Sequence, residues 1–408
     1  MSTDFTTTEF NRPLPNWVRW LGIATICAMV PLVALGGQTT TRVAGMADPV
    51  WPTEPWYLVV NSHTIFKEPQ PGWVLEHTHR VAGWVTGFLA LGFALATWRY
   101  EPNRSIRNLS YVSLVFLIVA YGAFHGAMMQ IKTDPQAFGA AQSITGALSI
   151  LAAVAVAWFA VAAIRGGQLG SWTRGLSAIG LVCVMIQGLL GGFRVLLNAW
   201  FGPDLATVHG CFAHVVVCTY VAAVILAAPS VAAKALSFVD RHRIGKWIIA
   251  GIGLVFLQLI WGAFTRHWGS ALAQRLHLLT AFAATAVVVT IAVLILSRES
   301  IKQRYGGYAM HLLGIVFLQV ALGVEAYIGK FAAVGPFANL PPSQRPITDG
   351  QALTRTGHVL VGLTLLASLV AMAVRVYRNR PTSESVQQSE PGDVLRAGER
   401  SALEPVVV

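Results

Sequence analysis

Ten stretches of roughly 20 mostly apolar residues recur along the chain, at about 17–37, 80–98, 109–131, 138–164, 175–197, 207–229, 246–266, 273–296, 308–329 and 356–377. At 1.5 Å per residue each is long enough to cross a hydrocarbon layer about 30 Å thick. The pattern predicts an all-α integral membrane protein of about ten transmembrane helices, arranged as five hairpins. Two of the connecting segments are long, residues 38–75 and 330–355, and both are rich in Pro, Gly and aromatics, with Trp51, Trp56, Tyr57 and Trp73 in the first. That composition predicts ordered caps rather than flexible tethers. Residues 1–16 form a short polar lead. From about Arg380 to residue 408 the chain is rich in Ser, Glu, Gln and Pro, which predicts a disordered tail.

Composition supports the membrane reading. Of 408 residues 55% are hydrophobic and 12% charged, with a mean hydropathy of +0.59, whereas a soluble domain carries about 25% charged residues. With the N-terminus inside, inner segments hold 19 of the 29 Lys and Arg residues and outer segments 10. The positive-inside rule then predicts a multi-pass protein of the cell's inner (cytoplasmic) membrane with both termini cytoplasmic. The net charge of +11 is mostly this topological signal; it calls for no nucleic-acid partner, and the chain's surroundings are membrane lipid. The first apolar run is too long for a removable signal peptide and lacks a small-residue cleavage pattern. Cys27, Cys183, Cys211 and Cys218 all fall inside predicted helices, with no CxxC or CxxCH, so neither a zinc site nor a covalently attached haem is expected.

An internal repeat underlies the hairpins. Three odd-numbered spans share Gln-x-x-x-Gly near their outer ends (Gln187/Gly191, Gln258/Gly262 and Gln319/Gly323), and the first has Leu32/Gly36 in the same relation. Each is followed by a helix carrying a histidine near its start: His79, His209, His277 and His358. A small residue follows four places later, at Gly83, Ala213, Ala281 and Gly362, on the same face one turn along. The hairpin at 109–164 is a degenerate copy, with Tyr121 and His125 in the Gln and Gly places and Thr145 and Ser149 replacing the histidine and its small residue. The repeat predicts an N-terminal bundle (17–229, including the extra hairpin) and a C-terminal bundle (246–377).

Four intramembrane histidines at one depth, each beside a gap, suit a flat macrocycle better than a bare ion. Zinc or copper needs several protein ligands within a few ångström, whereas haem brings four nitrogens and needs only axial partners. Two pairs could hold two haems. Arg80, Arg194, Arg266, Arg275 and Arg355 stand nearby, suited to haem carboxylates. Glu76 lies three residues before His79 on nearly the same face, where it could take a proton, orient a reacting group or pair with Arg80. Glu325 is expected to pair with a basic neighbour. His63, His77, His125, His214, His242, His267 and His311 are expected to be structural, with His77 and His214 about 200° and 140° off the faces of His79 and His209.

Glu76-His77-Thr78-His79-Arg80 with Gly83, the Gly36-Gly37 and Thr41-Arg42 pairs, the Gln-x-x-x-Gly spans and the later histidine helices together resemble the haem A synthase family over most of residues 17–377. The resemblance implies two similar four-helix bundles, the C-terminal one holding a haem b cofactor and the N-terminal one receiving haem O, whose ring methyl is oxidised to a formyl group. It implies His277 and His358, with Arg275 and Arg355, at the cofactor, His79, His209 and Arg80 at the substrate haem, and Glu76 beside the reacting edge. It further implies a haem O synthase and a terminal oxidase in assembly as neighbours, and an external electron donor or acceptor. Three features differ from the family pattern: ten spans rather than eight, Leu278 rather than Arg after His277, and no cysteine pair in the first outer loop. The alternatives are a quinol-linked membrane electron-transfer cytochrome with two b haems, and a cofactor-free transporter.

Overall fold

Backbone amides in hydrocarbon have no water to bond, so each apolar stretch must satisfy its own N–H and C=O groups as a helix. The computed structural model describes residues 14–47, 72–131, 139–165, 169–228, 236–331, 339 and 346–378. Within them lie ten helices: α1 (Asn16–Thr41), α2 (Trp73–Trp98), α3 (Arg104–Ile131), α4 (Ala140–Arg165), α5 (Leu169–Leu196), α6 (Asn198–Ala227), α7 (Phe238–His267), α8 (Ala271–Leu296), α9 (Glu299–Phe331) and α10 (Asp349–Arg378). All ten are long and apolar enough to span a bilayer, and the protein is an all-α integral membrane protein. Most of the expected cap at 38–75 and half of that at 330–355 fall outside the described residues, as do the whole tail from Arg380 and residues 1–13.

Helix ends run past the apolar windows. α9 begins at Glu299 rather than near 308, and α7 at Phe238 rather than near 246. Polar side chains at a membrane interface do not interrupt backbone hydrogen bonding. Ser237 caps α7 by accepting from the Asp240 amide (3.0 Å), and Ser270 caps α8 by accepting from that of Ala273 (3.2 Å). α6 also starts early, at Asn198, but its backbone leaves helical geometry at Phe201 (φ −131°, ψ 23°) just before Pro203, so its regular part starts there.

The helices close into two rings. In the first, α1 packs on α2, α2 on α5, α5 on α6 and α6 on α1; in the second, α7, α8, α9 and α10 close in the same cyclic order. Each ring has its own core, with Val18, Phe93, Leu181 and Tyr220 in one and Ile248, Val288, Leu312 and Leu369 in the other. Close approach depends on small residues: a Cβ on Gly22 would sit 2.8 Å from the Phe93 ring, and one on Gly180 2.8 Å from the Tyr220 ring. The extra hairpin lies outside the first ring, α4 against α5 and α3 lightly against α2. Its Thr145 and Ser149 hydroxyls donate to carbonyls of their own helix, at Ala141 (2.6 Å) and Thr145 (2.8 Å), and the buried Gln142 amide donates to Ala127 of α3 (2.9 Å).

The rings meet through α1, α6, α7 and α10. Near the histidine ends, Gln38 Nε2 donates to Ala352 O (3.2 Å) and Thr356 Oγ1 (3.1 Å), while Arg42 pairs with Asp349 (2.7 Å). At the opposite end Arg378 of α10 donates to Ile225 O (2.7 Å) and Ala228 O (2.5 Å), satisfying carbonyls that the last turn of α6 leaves open. The four cysteines are free thiols.

Candidate functional site

Each Gly of the repeated x-x-x-Gly pattern is the seat of a histidine ring. A Cβ on Gly36 would stand 2.8 Å from His79 Cε1, on Gly191 3.3 Å from His209, on Gly262 3.2 Å from His277, and on Gly323 2.9 Å from His358. Any side chain at Gly36 or Gly323 would displace the ring. The residue four positions earlier supplies a carbonyl: His79 Nδ1 bonds Leu32 O (3.0 Å), His277 Nδ1 bonds Gln258 O (3.0 Å) and His358 Nδ1 bonds Gln319 O (3.1 Å). A carbonyl only accepts, so Nδ1 carries the proton and Nε2 keeps its lone pair. Anchoring one ring nitrogen on a carbonyl in this way orients the other as a metal ligand. His209 sits on Gly191 in the same pose, with its Nδ1 just outside bonding geometry. Gln187 steadies it instead, donating to His209 O (2.9 Å), with Nε2 3.4 Å from the ring's Nε2.

The two pairs differ. His277 and His358 face each other across the second ring with centroids 6.1 Å apart and planes at 83°. Two imidazoles about 2 Å from a shared metal place their centroids about 6 Å apart, so this spacing fits bis-histidine ligation. His79 and His209 instead line a cavity of about 320 Å³ in the first ring, within the size class of cofactor pockets. Among the described residues no three His, Cys, Asp or Glu side chains form a metal-binding group.

Glu76 and Arg80 line the same cavity and form an ion pair (Arg80 Nη2 to Glu76 Oε1, 2.7 Å), with side chains only 6% and 11% exposed. Gly72, at φ +87°, turns the chain into α2 ahead of them, and a Cβ there would strike Ala44 at 2.5 Å. Arg194 and Arg266 also line the cavity, where Glu76 is the one acid among the described lining residues. Arg266 reaches from α7 to Gly37 O (2.6 Å) and Thr41 Oγ1 (2.5 Å), both uncharged, and Arg194 Nε is buried without a partner. With Arg80 neutralised by Glu76, two positive charges remain. They match the two carboxylates of a haem, so the residues present fit that group.

Not every expected residue joins these sites. Arg275 is exposed on α8 and lines no described cavity. It precedes His277 by two residues, about 200° round the helix, so a ring facing the core turns Arg275 outward. Arg355, three before His358, is half-buried. Glu325 accepts from Thr354 Oγ1 (2.9 Å) and forms no ion pair among the described residues, so its expected basic partner is a hydroxyl. His77 packs flat on Trp73 (4.4 Å, 18°), away from the cavity.

Three histidines expected to be structural line the first cavity: His125 from α3, His214 from α6 and His267 from the end of α7. Tyr121 does so too, its hydroxyl donating to Met185 O (3.2 Å). The angular exclusion of His214 assumed a narrow ligand-facing stripe. Residues 209, 210, 213, 214, 216 and 217 of α6 all line the cavity, a stripe about 160° wide at 100° per residue. His63 lies outside the described residues. Comparison of the chain with protein-family models, with curated proteins and with solved structures returned no match.

Proposed function

We propose that the protein is a haem-modifying membrane oxidoreductase of the haem A synthase type, which converts the ring methyl of haem O to a formyl group in the first ring and carries a resident haem b in the second. The observation that supports this most is the inequality of two pairs built on one seat. One pair stands ring to ring with centroids 6.1 Å apart, a spacing that suits a permanent cofactor held between them. The other opens on a cavity with a carboxylate and surplus arginines, as an exchangeable substrate needs.

His277 and His358 would hold haem b through Nε2, and the bound haem supplies one-electron redox chemistry. His79 and His209 would hold the substrate iron, with Arg194 and Arg266 on its carboxylates. Glu76, fixed by Arg80, accepts a proton as the methyl is oxidised. In the net change the methyl exchanges two hydrogens for one oxygen, with oxygen source and electron acceptor external to the chain. The Lys and Arg distribution supports an inner-membrane protein with cytoplasmic termini and the histidine ends toward the outer face. Haem O synthase and the terminal oxidase awaiting haem A are the fitting assembly neighbours.

A second reading, a quinol-linked cytochrome with two b haems, is favoured by the shared histidine seat alone. Co-expression with a source of haem O, followed by pigment extraction, separates the two. The proposal predicts a formyl-bearing haem A in the extract. Haem b with unaltered haem O would contradict it and favour electron transfer.

A further inference from the structure

His214 is 7% exposed and lines the first cavity. Its Nδ1 bonds the Gly210 carbonyl (2.8 Å) on its own helix, so Nδ1 carries the proton and Nε2 is an acceptor. Nε2 is buried and has no hydrogen-bond partner. An orphaned acceptor beside an apolar cavity is costly, and a donor on a bound ligand, such as an O–H, would satisfy it. The position is specific: five residues along α6 from His209, about 7.5 Å farther into the membrane. Met29, Val33, Val184 and Val217 make the cavity wall apolar, while Trp84 of α2 and Tyr121 and His125 of α3 add aromatic rings to it. Tyr121 and His125 belong to the extra hairpin, so this hairpin shapes the cavity although it carries none of the four seated histidines. His125 is pinned there by Tyr121 (4.2 Å between ring centroids) and by the edge of Trp84 (6.1 Å).

We propose that this region of the cavity is a specificity subsite for a hydroxylated, long-chain apolar substituent on the substrate ring. His214 Nε2 accepts the hydrogen bond from the hydroxyl, and the wall completed by α3 receives the chain. This rests on the proposed function. There it distinguishes haem O, whose hydroxyalkyl group bears an isoprenoid tail, from haem b, which has a vinyl group at that place. Sites that hydrogen-bond a ligand hydroxyl discriminate strongly against analogues lacking it, because the buried partner is then left unpaired.

The test is a titration of the full chain, with its second-ring haem in place, by two probes: haem O, and its dehydrated derivative, which keeps the tail but lacks the hydroxyl. First-site binding is read from the change in the Soret band. Wild type is expected to bind haem O about tenfold or more tighter than the dehydrated probe. His214→Leu brings the two to near equality, and His214→Gln, which restores an acceptor, recovers part of the preference. Equal affinities in wild type, or a preference surviving in His214→Leu, would overturn the subsite. Should His214→Leu lose the second-ring haem and so report a folding defect, the wild-type ratio and His214→Gln still decide. If wild type binds neither probe in the first ring, the proposed function fails, and the subsite with it.

Discussion

On the proposed function, His277→Ala or His358→Ala is expected to empty the second ring of haem, whereas His79→Ala or His209→Ala is expected to leave that haem in place. The expectation follows from geometry. The two second-ring imidazoles have centroids 6.1 Å apart and each is held by one backbone carbonyl, so under the proposed function both would be needed to hold the haem. With one of the two ligands gone, retention through detergent purification is expected to fall from about one haem per chain toward zero. Total haem per chain is the measurement. The first-ring variants are expected to keep this haem while losing formyl product. Equal loss of haem in all four variants would mean that the pairs do not have separate duties.

Glu76→Gln is expected to lower turnover of haem O by about 10²–10⁴-fold, the usual range for removing a positioned proton acceptor, with first-site affinity changed little. Glu76 is 4% exposed and its carboxylate is paired with Arg80 at 2.7 Å. Glutamine keeps an oxygen for that guanidinium but cannot accept the substrate's proton. A stability control is needed, because uncoupling a buried ion pair commonly costs about 3–5 kcal/mol. An unchanged apparent melting temperature with lost turnover separates proton transfer from scaffolding. Turnover at the wild-type level would remove Glu76 from the chemistry.

The spans were legible because bilayer thickness fixes the length of an apolar run, and all ten are found. Their ends were not, as α9 shows by starting at Glu299: interfacial charges break the hydropathy pattern but not the helix. The histidine repeat was legible from spacing, yet the role of its glycines was not. The small residues after each histidine, such as Gly83, drew attention as the gap. The closest packing against the rings is instead at Gly36, Gly191, Gly262 and Gly323, on the neighbouring helix. Which helix lies beside which is decided in three dimensions, and lipid-spanning helices show too little polar contrast to announce it. For the same reason the places of His267, at the end of α7, and of Tyr121 and His125, from the extra hairpin, in the cavity wall had no signal in local spacing; Arg266 was singled out by its position after Gly262, but not that it reaches the first-ring cavity. Arg275 illustrates the converse. Its helical angle relative to His277 was readable, and it is exposed as that angle requires.

The central claim is that opposed imidazoles in a membrane bundle grip one porphyrin iron. Electron paramagnetic resonance of the oxidised, purified wild-type protein tests it most directly. Two imidazoles holding one haem iron would give a low-spin ferric signal, and rings kept at 83° to each other would place it in the strongly anisotropic class, at about one centre per chain before substrate is added. A colourless protein, or one showing high-spin iron alone, would contradict the account.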